Sequence, residues 1–346
     1  MTSIRNVLAA ILFCVATAGA TQDSSSVTVL AFGDVNLGRS VGQEILKGNI
    51  DHPFDSIRVF LQHADLVFVN LESQLTDQNG LTQHPKDRFI FCGPPEGALS
   101  LRRAGVDIVS TANNHAFDYG MRGLVETIEN LVNAEVAYVG TGKDSVGTFS
   151  PAILTRKEIR IGFVAYTEFV NIKGEWGGRI SLFDTKRVRK EIGELRRQVD
   201  VVIASYHGGA EYVDEPPKRT RMQMQALVDA GADVVLGHHP HVPQGLEIYK
   251  GKLIVHSLGN FVFYQPQRFW TQRGIGVELT FVKHASSTTL THARLLPVRA
   301  GKQPSYLHDP TEREGLLTRL QALSPLPLNE HEGWFSLGIS QFTDRK

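Results

Sequence analysis

The sequence contains very little cysteine, with only Cys14 and Cys92 among 346 residues. Cys14 lies within the first twenty residues, a segment with the features of a cleaved leader. A mature chain that keeps Cys92 alone has no partner for an internal disulfide. We therefore expect its stability to come from a hydrophobic core and from bound ions rather than from covalent cross-links.

An excess of charge of one sign is also missing, because 36 Lys and Arg residues balance 36 Asp and Glu residues. Such a chain has no large field to attract nucleic acid or an anionic membrane, so we expect no nucleic-acid partner. After the first twenty residues no apolar run is long enough to span a bilayer, which predicts no transmembrane segment in the mature chain. The 42% hydrophobic content is ample for two average domains or one large α/β unit.

The N-terminal residues have the three-part pattern of a secretory signal peptide. Arg5 stands in a short polar region, an apolar run covers 7–16, and small residues occupy 18–20. This pattern predicts a signal peptide over residues 1–20 with cleavage after Ala20. A membrane anchor is the alternative, but the apolar run is too short to span a bilayer. We therefore expect a secreted or periplasmic protein.

Short runs rich in Val and Ile alternate with segments whose apolar residues recur at three- and four-residue spacing. The predicted strands are 27–34, 64–72, 106–115, 159–168, 199–209, 232–239 and 252–260, and the predicted helices are 121–134, 185–198 and 217–231. This alternation is typical of a layered α/β fold with strands buried on both faces. Residues 276–300 read as an antiparallel hairpin. Residues 301–346 are polar and interrupted by Pro, which predicts a tail that packs on the surface or is partly mobile.

The stretch "VVLGHHPHVPQG" at 234–245 places three histidines within four positions, directly after an apolar run. Nearly every other predicted strand also ends in a side chain of metal-ligand type. These side chains are Asp34 and Asn36, Glu72, Asn114 with His115, His207, and His239 with His241. Because ligands gather at the carboxyl ends of strands in α/β sheets, we expect these groups to converge on one crevice. Together they make the histidine cluster a metal-binding loop.

Two divalent cations about 3.5–4 Å apart need a bridging carboxylate and further nitrogen and oxygen ligands on each side. Glu72 is the candidate for the bridge, although the dipole of a helix would also favour a glutamate in its first turn. The other candidates divide into Asp34 on one ion, Asn114 and His207 on the other, and His239 and His241 facing opposite ions. Mixed carboxylate and imidazole ligation favours manganese, iron or zinc over magnesium or calcium.

Six ordered motifs carry a family resemblance: "AFGDVNLGR", "VNLES", "TANNHAFDYG", "SYHGGAEY", "GADVVLGHHPHVPQGLEIY" and "VHSLGNFVF". They resemble those of the bacterial capsule-synthesis family of the CapA, poly-γ-glutamate type, which is similar to the calcineurin-like metallophosphoesterases. The resemblance covers residues 27–300, with 301–346 as a C-terminal extension. It implies a four-layer α/β/β/α sandwich with a two-metal centre.

The resemblance also assigns motif positions residue by residue. Asp34 fills the first metal motif, Glu72 the second, Asn114 and His115 the third, His207 the fourth, and His239 with His241 the fifth. The wider superfamily has a histidine where this chain has Asn36 and an aspartate where it has Glu72. One metal site is therefore expected to bind its ion more weakly.

His115 is the candidate catalytic residue. It follows Asn114 on the same strand-end loop, and an imidazole with a pKa of about 6.5 can donate a proton to a leaving group. The alternative is a histidine that only forms a hydrogen bond to a carboxylate such as Asp118. His238 is expected to bind backbone or substrate rather than metal, and Glu211 and Tyr212 are expected to support the site from outside the ligand shell.

Three functions are compatible with these residues. The first is an exported metal-dependent hydrolase or transferase that processes poly-γ-glutamate or a related anionic polymer of the capsule or envelope. The second is a generic periplasmic phosphatase or nucleotidase on the same scaffold. The third is a protein that binds the polymer for the capsule synthesis and export machinery without turnover. The fold by itself does not separate the three.

Overall fold

A computed structural model describes residues 25–285 and 287–337. The signal-peptide prediction, at residues 1–20, lies outside the described residues. Within the described ranges, no helix combines the length and the apolar character needed to cross a membrane.

The first half of the described chain alternates short strands and helices. Its elements are β1 Ser25–Val35, α1 Arg39–Leu46, α2 Arg58–Leu61, β2 Leu66–Leu71, β3 Gln74–Leu75, β4 Cys92–Gly93, α3 Gly97–Ala104, β5 Ile108–Ser110, α4 Gly120–Asn133, β6 Ala137–Val139, α5 Ser145–Phe149, β7 Ala152–Arg156 and β8 Ile159–Thr167. The second half continues the alternation and then becomes mainly strand. Its elements are α6 Thr185–Arg196, β9 Val201–His207, α7 Lys218–Ala230, β10 Val234–His238, β11 Leu246–Tyr249, β12 Lys252–Val255, β13 Arg273–Lys283, β14 Thr288–Arg299, β15 Ser305–Tyr306, α8 Pro310–Leu323, β16 Leu328–His331 and β17 Trp334–Leu337.

The described strands form two large sheets. The first has the order β16-β17-β14-β13-β1-β2-β5-β6, with β15 paired to β14. Strands β1, β2, β5 and β6 run parallel, while β13 pairs antiparallel to β1. The second sheet has the order β11-β12-β10-β9-β8-β7, with β12, β10, β9 and β8 parallel. Because the parallel strands need crossover connections, helices must cover the outer faces of both sheets.

Three apolar clusters place these sheets and helices in four layers. Between the sheets, Val29 and Phe68 of the first meet Phe163 and Ile203 of the second. The outer face of the first sheet is covered by α1 and α3, and that of the second by α6 and α7. This arrangement confirms the predicted α/β/β/α sandwich.

Most predicted elements are confirmed, including all seven strands, the three helices and the hairpin of β13 and β14. The buried strands were recognisable because both of their faces lie in the core, which selects continuous Val- and Ile-rich runs. The run at 106–115 is shortened to the three residues of β5, because its second half is the loop that carries Asn114 and His115.

The prediction of a surface tail after residue 300 is wrong for residues 301–337. Strands β15 and β17 pair with β14 and so extend the first sheet. Helix α8 packs Leu316 and Leu320 into the core between the sheets, together with Phe335 of β17. The region thus combines short strands with helix α8, and both are stabilised by contacts with distant strands.

Candidate metal centre

The side chains of the predicted site stand at the carboxyl ends of strands in both sheets. Asp34 lies next to the end of β1, and Glu72 directly follows β2. His207 ends β9 and His238 ends β10. All four are almost completely buried. The structure thus brings residues from the two sheets together in one crevice.

Two glycines allow the chain to pack closely enough for this crevice to form. A Cβ atom on Gly33 would lie 1.8 Å from the carbonyl oxygen of Gly259, and one on Gly237 would lie 2.0 Å from that of His256. Both distances are far inside van der Waals contact, so only glycine fits at either position. The close approach lets the backbone N–H of Asp34 donate to the Gly259 oxygen at 3.0 Å, which fixes the end of β1.

Glu72 stands at the centre of the crevice. Its Oε1 lies 3.7 Å from Nε2 of both His207 and His241, and 3.9 Å from Nε2 of His115. Neither carboxylate oxygen has a hydrogen-bond partner among the described residues. Burial, followed by the charge of Asp34, raises the pKa of Glu72 well above its usual range. A buried carboxylate with no donor is costly, and a cation is the partner that would relieve this cost.

The ligand-type atoms form two groups that share Glu72. In each group, three atoms lie within 4.8 Å of one another. One group is Asp34, Glu72 and His241, and the other is Glu72, His207 and His239. Glu72 is common to both groups, whereas a third group brings His239 and His241 together with Glu211. The division of the two histidines between two ions therefore stays a prediction. These residues therefore fit a pair of divalent cations with mixed oxygen and nitrogen ligands.

Asp34 keeps its charge although it is buried. Burial alone would raise the pKa of Asp34, but the facing imidazoles of His238 and His241 hold it well below its usual range. The contacts are 3.6 Å from Oδ1 to His238 Nδ1 and 3.1 Å from Oδ2 to His241 Nδ1. Oδ2 still lacks a partner with hydrogen-bond geometry among the described residues. It is thus an ionised oxygen available to a cation.

Asn70 is a member of the site that the sequence reasoning missed. Its Nδ2 donates to Asp34 Oδ1 at 2.8 Å and lies 3.2 Å from His207 Nδ1. The parallel pairing of β1 with β2 sets Asn70 beside Asp34. A side chain that contacts one candidate ligand in each group can orient both. The available signal was a buried polar residue inside an apolar run, two positions before Glu72.

His207 and His239 are both in the neutral form that binds metals. Burial, followed by the nearby His239, lowers the pKa of His207 well below its usual value. Burial and His241 lower the pKa of His239 to about 3. His207 Nε2 lies 2.7 Å from Asn114 Oδ1, so these two candidate ligands of the same ion already lie in contact.

Strained backbone conformations occur repeatedly around the centre. His239 has φ 97°, His241 φ 59°, Tyr212 φ 64° and Arg39 φ 53°. A residue other than glycine rarely adopts positive φ, and such strain persists where the surrounding structure enforces it, often at functional sites. The intervening Pro240 accepts a hydrogen bond from the N–H of Tyr212 at 2.9 Å, which holds the two loops against each other.

His115 is held in place by a carboxylate and an aromatic ring. Its Nδ1 lies 2.7 Å from Asp118 Oδ2, and its ring stacks on Phe91 with centroids 3.9 Å apart. The contact with Asp118 accounts for one ring nitrogen and leaves Nε2 facing Glu72. The alternative of a hydrogen bond between His115 and a carboxylate is therefore observed. It is compatible with catalysis by His115, which stays a prediction.

The role of Asn36 as a ligand of the first metal stays a prediction, and its amide has two different surroundings. Its Oδ1 accepts a hydrogen bond from the backbone N–H of Gly38 at 2.8 Å. Its Nδ2 is buried and has no partner among the described residues. The amide oxygen thus accepts one hydrogen bond in a turn and keeps a second lone pair, whereas Nδ2 is a donor without an acceptor.

His238 and Glu211 also contact the centre. Neither ring nitrogen of His238 has a hydrogen-bond partner among the described residues, so its side chain does not bind the backbone there, and a contact with substrate stays a prediction. Glu211 is exposed, and its carboxylate forms a third group with His239 and His241. His238 belongs to the histidine cluster at 234–245, and Glu211 lies beside that cluster.

The model of one protein family, described as bacterial capsule synthesis protein PGA_cap, matches residues 28–265. The chain belongs to this family. The match contains every one of the candidate ligands. It confirms the family resemblance of the ordered motifs.

Two relatives in the family have printed names that refer to capsule material. The chain is 30% identical to "Capsule biosynthesis protein CapA" of Bacillus anthracis, over 72% of this chain and 62% of that protein. It is 31% identical to "PGA biosynthesis protein CapA" of Bacillus subtilis strain 168, over 69% of this chain and 63% of that protein. The chain thus matches less than two thirds of the length of either relative.

Among solved structures, the chain is similar to the calcineurin-like phosphoesterase YfkN from Bacillus subtilis. The TM-score is 0.48 at 15% sequence identity, and the match covers 79% of this chain and 90% of that one.

Proposed function

We propose that this PGA_cap family member is a metal-dependent hydrolase or transferase that acts at a two-ion centre on an anionic envelope polymer of the poly-γ-glutamate type. The observation that carries this proposal is the position of Glu72, a buried carboxylate without a hydrogen-bond donor that belongs to both groups of ligand-type atoms. No core packing explains a glutamate there, because its burial costs stability unless a cation binds it.

The chemistry of the donor set supports two ions of the manganese, iron or zinc class. When bound, such ions polarise the reacting group and lower the pKa of a bound water toward neutrality. The chain itself supplies the remaining functions. Asn70 orients the candidate ligands Asp34 and His207. His115 presents Nε2 for proton transfer, and Asp118 fixes the orientation of its ring.

The substrate class follows from charge and from the family. Two divalent ions would outweigh the charges of Asp34 and Glu72, so the loaded centre would attract anions. The names of the Bacillus relatives refer to capsule and PGA biosynthesis. An anionic polymer with γ-linked glutamate meets both conditions, and a phosphoester meets only the first. We therefore favour the polymer and propose the capsule synthesis and export machinery as partner.

The metal centre is tested by elemental analysis of protein purified without chelators. We expect about two ions of manganese, iron or zinc per chain. His207→Ala should lose at least one of them, because it removes a ligand-type nitrogen from one group and leaves Asp34, Glu72 and His241 in place. Exposed His292→Ala is the matched control and should keep the full content. Wild-type protein that neither contains these ions nor takes them up in titration would refute the two-ion proposal.

Turnover assays on the metal-loaded protein separate the three functions. Cleavage or transfer of γ-linked glutamate polymer supports the favoured function. Cleavage of phosphomonoesters or nucleotides alone replaces it with the phosphatase function. Binding of the polymer without any turnover makes the protein a non-catalytic component of the capsule machinery.

We also propose that the protein is secreted or periplasmic, on the basis of the leader pattern at residues 1–20. Mass spectrometry of the protein isolated from its native cells should find a chain that begins near Thr21. An intact Met1 terminus on membrane-bound protein would instead identify the segment as an anchor.

A further inference from the structure

We propose that a small pocket beside the metal centre binds one oxyanion of the substrate, either a carboxylate or a phosphate, with Asn36 and Arg39 as its donors. The inference rests on the proposed function for the reaction that occurs next to it. The bound oxyanion would be a second anchoring group of the same substrate. Side chains of this protein would hold it, and no metal ion would contact it.

The pocket lies between the loop after β1 and the segment after β12. Its free volume is about 40 Å³, and its walls include Asn36, Gly38, Arg39, Ser40, Phe263 and Tyr264. Because roughly 10–15 Å³ of such volume holds one water, the pocket has room for a carboxylate or for part of a phosphate.

Asn36 supplies a donor that nothing else in the described structure uses. The Gly38 N–H can only donate, so it fixes Oδ1 of the amide toward the turn and leaves Nδ2 on the other side. Only 4% of Asn36 is exposed, and Nδ2 has no partner among the described residues. A buried N–H₂ group without an acceptor is costly unless a ligand provides one.

Arg39 supplies the positive charge. Among the described residues it has no carboxylate partner, in contrast to residues such as Arg58 and Arg319. Nη2 donates to the backbone oxygen of Arg88 at 2.8 Å. Its Cζ lies 4.7 Å from the centre of the Phe91 ring and 5.8 Å from that of Phe263. The guanidinium is thus positioned by its neighbours, and its other N–H groups remain for an anion.

The first turn of helix α1 adds further donors. No side chain caps its N-terminus at Gly38, and no acidic residue stands in its first turn. The Arg39 N–H donates to the carbonyl oxygen of Thr82. The following N–H groups of the first turn and the partial positive charge of the helix start are what would favour an anion.

The pocket adjoins the metal centre through the two aromatic rings. Phe91 stacks on His115, and the Phe263 ring lies 5.0 Å from that of His241. The Arg39 guanidinium thus contacts two aromatic rings that in turn contact His115 and His241. A group bound there would belong to the unit next to the reacting one, such as a neighbouring side-chain carboxylate of a polyanion.

The test is the affinity of Arg39→Gln for two probes, a γ-linked glutamate oligomer and inorganic phosphate, measured by calorimetry at fixed ionic strength. We expect at least one probe to bind roughly tenfold or more weakly, because a charged hydrogen bond is lost. The probe that loses affinity identifies the oxyanion. Arg187→Gln is the matched control, because Arg187 is exposed, stacks on Phe149 and lies on α6, outside the pocket.

Unchanged affinity of Arg39→Gln for both probes would overturn the inference, as would an equal loss in Arg187→Gln or a wild type that binds neither probe. Asn36→Ala should reproduce the loss through the second donor. Metal content is measured in the same samples, and the titrations are repeated after chelation. Wild type that takes up no metal contradicts the proposed function, whereas the chelated titration still reports on the pocket.

Discussion

Glu72→Gln should abolish the uptake of both metal ions, the largest effect that we expect from any single substitution. The carboxylate belongs to both groups of ligand-type atoms, so its loss weakens each site at once. An amide offers one neutral oxygen in place of two charged ones and is a poor bridge between cations. We expect ion affinity to fall by more than about 100-fold, as measured by titration with manganese or zinc and by elemental analysis.

The same substitution should stabilise the protein when no metal is bound. Glu72 is buried beside the ionised Asp34 and has no hydrogen-bond donor among the described residues, so the neutral amide removes a cost of burial. In chelator, the melting temperature of Glu72→Gln should therefore exceed that of wild type. In excess metal the order should reverse, because only wild type gains stability from the ions.

Glu247→Gln is the control for a partly buried carboxylate outside the centre. Glu247 accepts from Gln225 Nε2 at 2.6 Å and lies 3.1 Å from His256 Nε2. Its substitution should leave metal content unchanged. If Glu72→Gln retains two ions at wild-type affinity, the bridging role is wrong even if the protein binds metal elsewhere.

His115→Ala should keep its metals and lose roughly 10²–10⁴-fold in turnover, the typical contribution of a general acid. The ring is fixed by Asp118 and Phe91, which leaves Nε2 toward the centre. Its loss removes a proton donor and no member of the two groups of ligand-type atoms. The measurement is the rate on γ-linked glutamate polymer and on phosphomonoesters, with elemental analysis of the same samples.

A second pair in the chain provides a matched control for His115. His256 is also a buried histidine beside a carboxylate, Glu247, but it lies away from the centre. His256→Ala should lose stability but retain turnover per folded molecule. Normal turnover by His115→Ala would remove this histidine from the mechanism and leave the metal centre standing. Loss of metal from His115→Ala would make it a structural support of the ligands.

The sequence predicted those parts of the fold and site that depend on local pattern. Strands β1, β9 and β10 are continuous apolar runs because both their faces are buried, and the side chains that end them converge because parallel strands share an edge. The position of the site could therefore be predicted from the order of the apolar runs along the sequence and from the residue at the end of each run. Asn70 was missed because its role comes from lying beside Asp34 across two strands, which no local spacing records.

The end of the chain was mispredicted for a related reason. Residues 301–337 form short strands and helix α8, whose burial depends on pairing with β14 and on packing between the sheets. Short strands with exposed faces carry little periodic signal, so their composition resembles that of a loop. The sequence also leaves open which atom of the Asn36 amide lacks a partner, because only the contact with Gly38 reveals it.

The candidate centre lies at the interface between the two sheets, so metal binding depends on the docking of both sheets during folding. Asp34 and Glu72 come from the first sheet, whereas His207 and His241 come from the second sheet and the loop that follows it. Neither sheet carries a complete set of ligands on its own. A folding intermediate with one sheet formed would thus have little affinity for the ions, and metal capture would mark the final docking of the two halves.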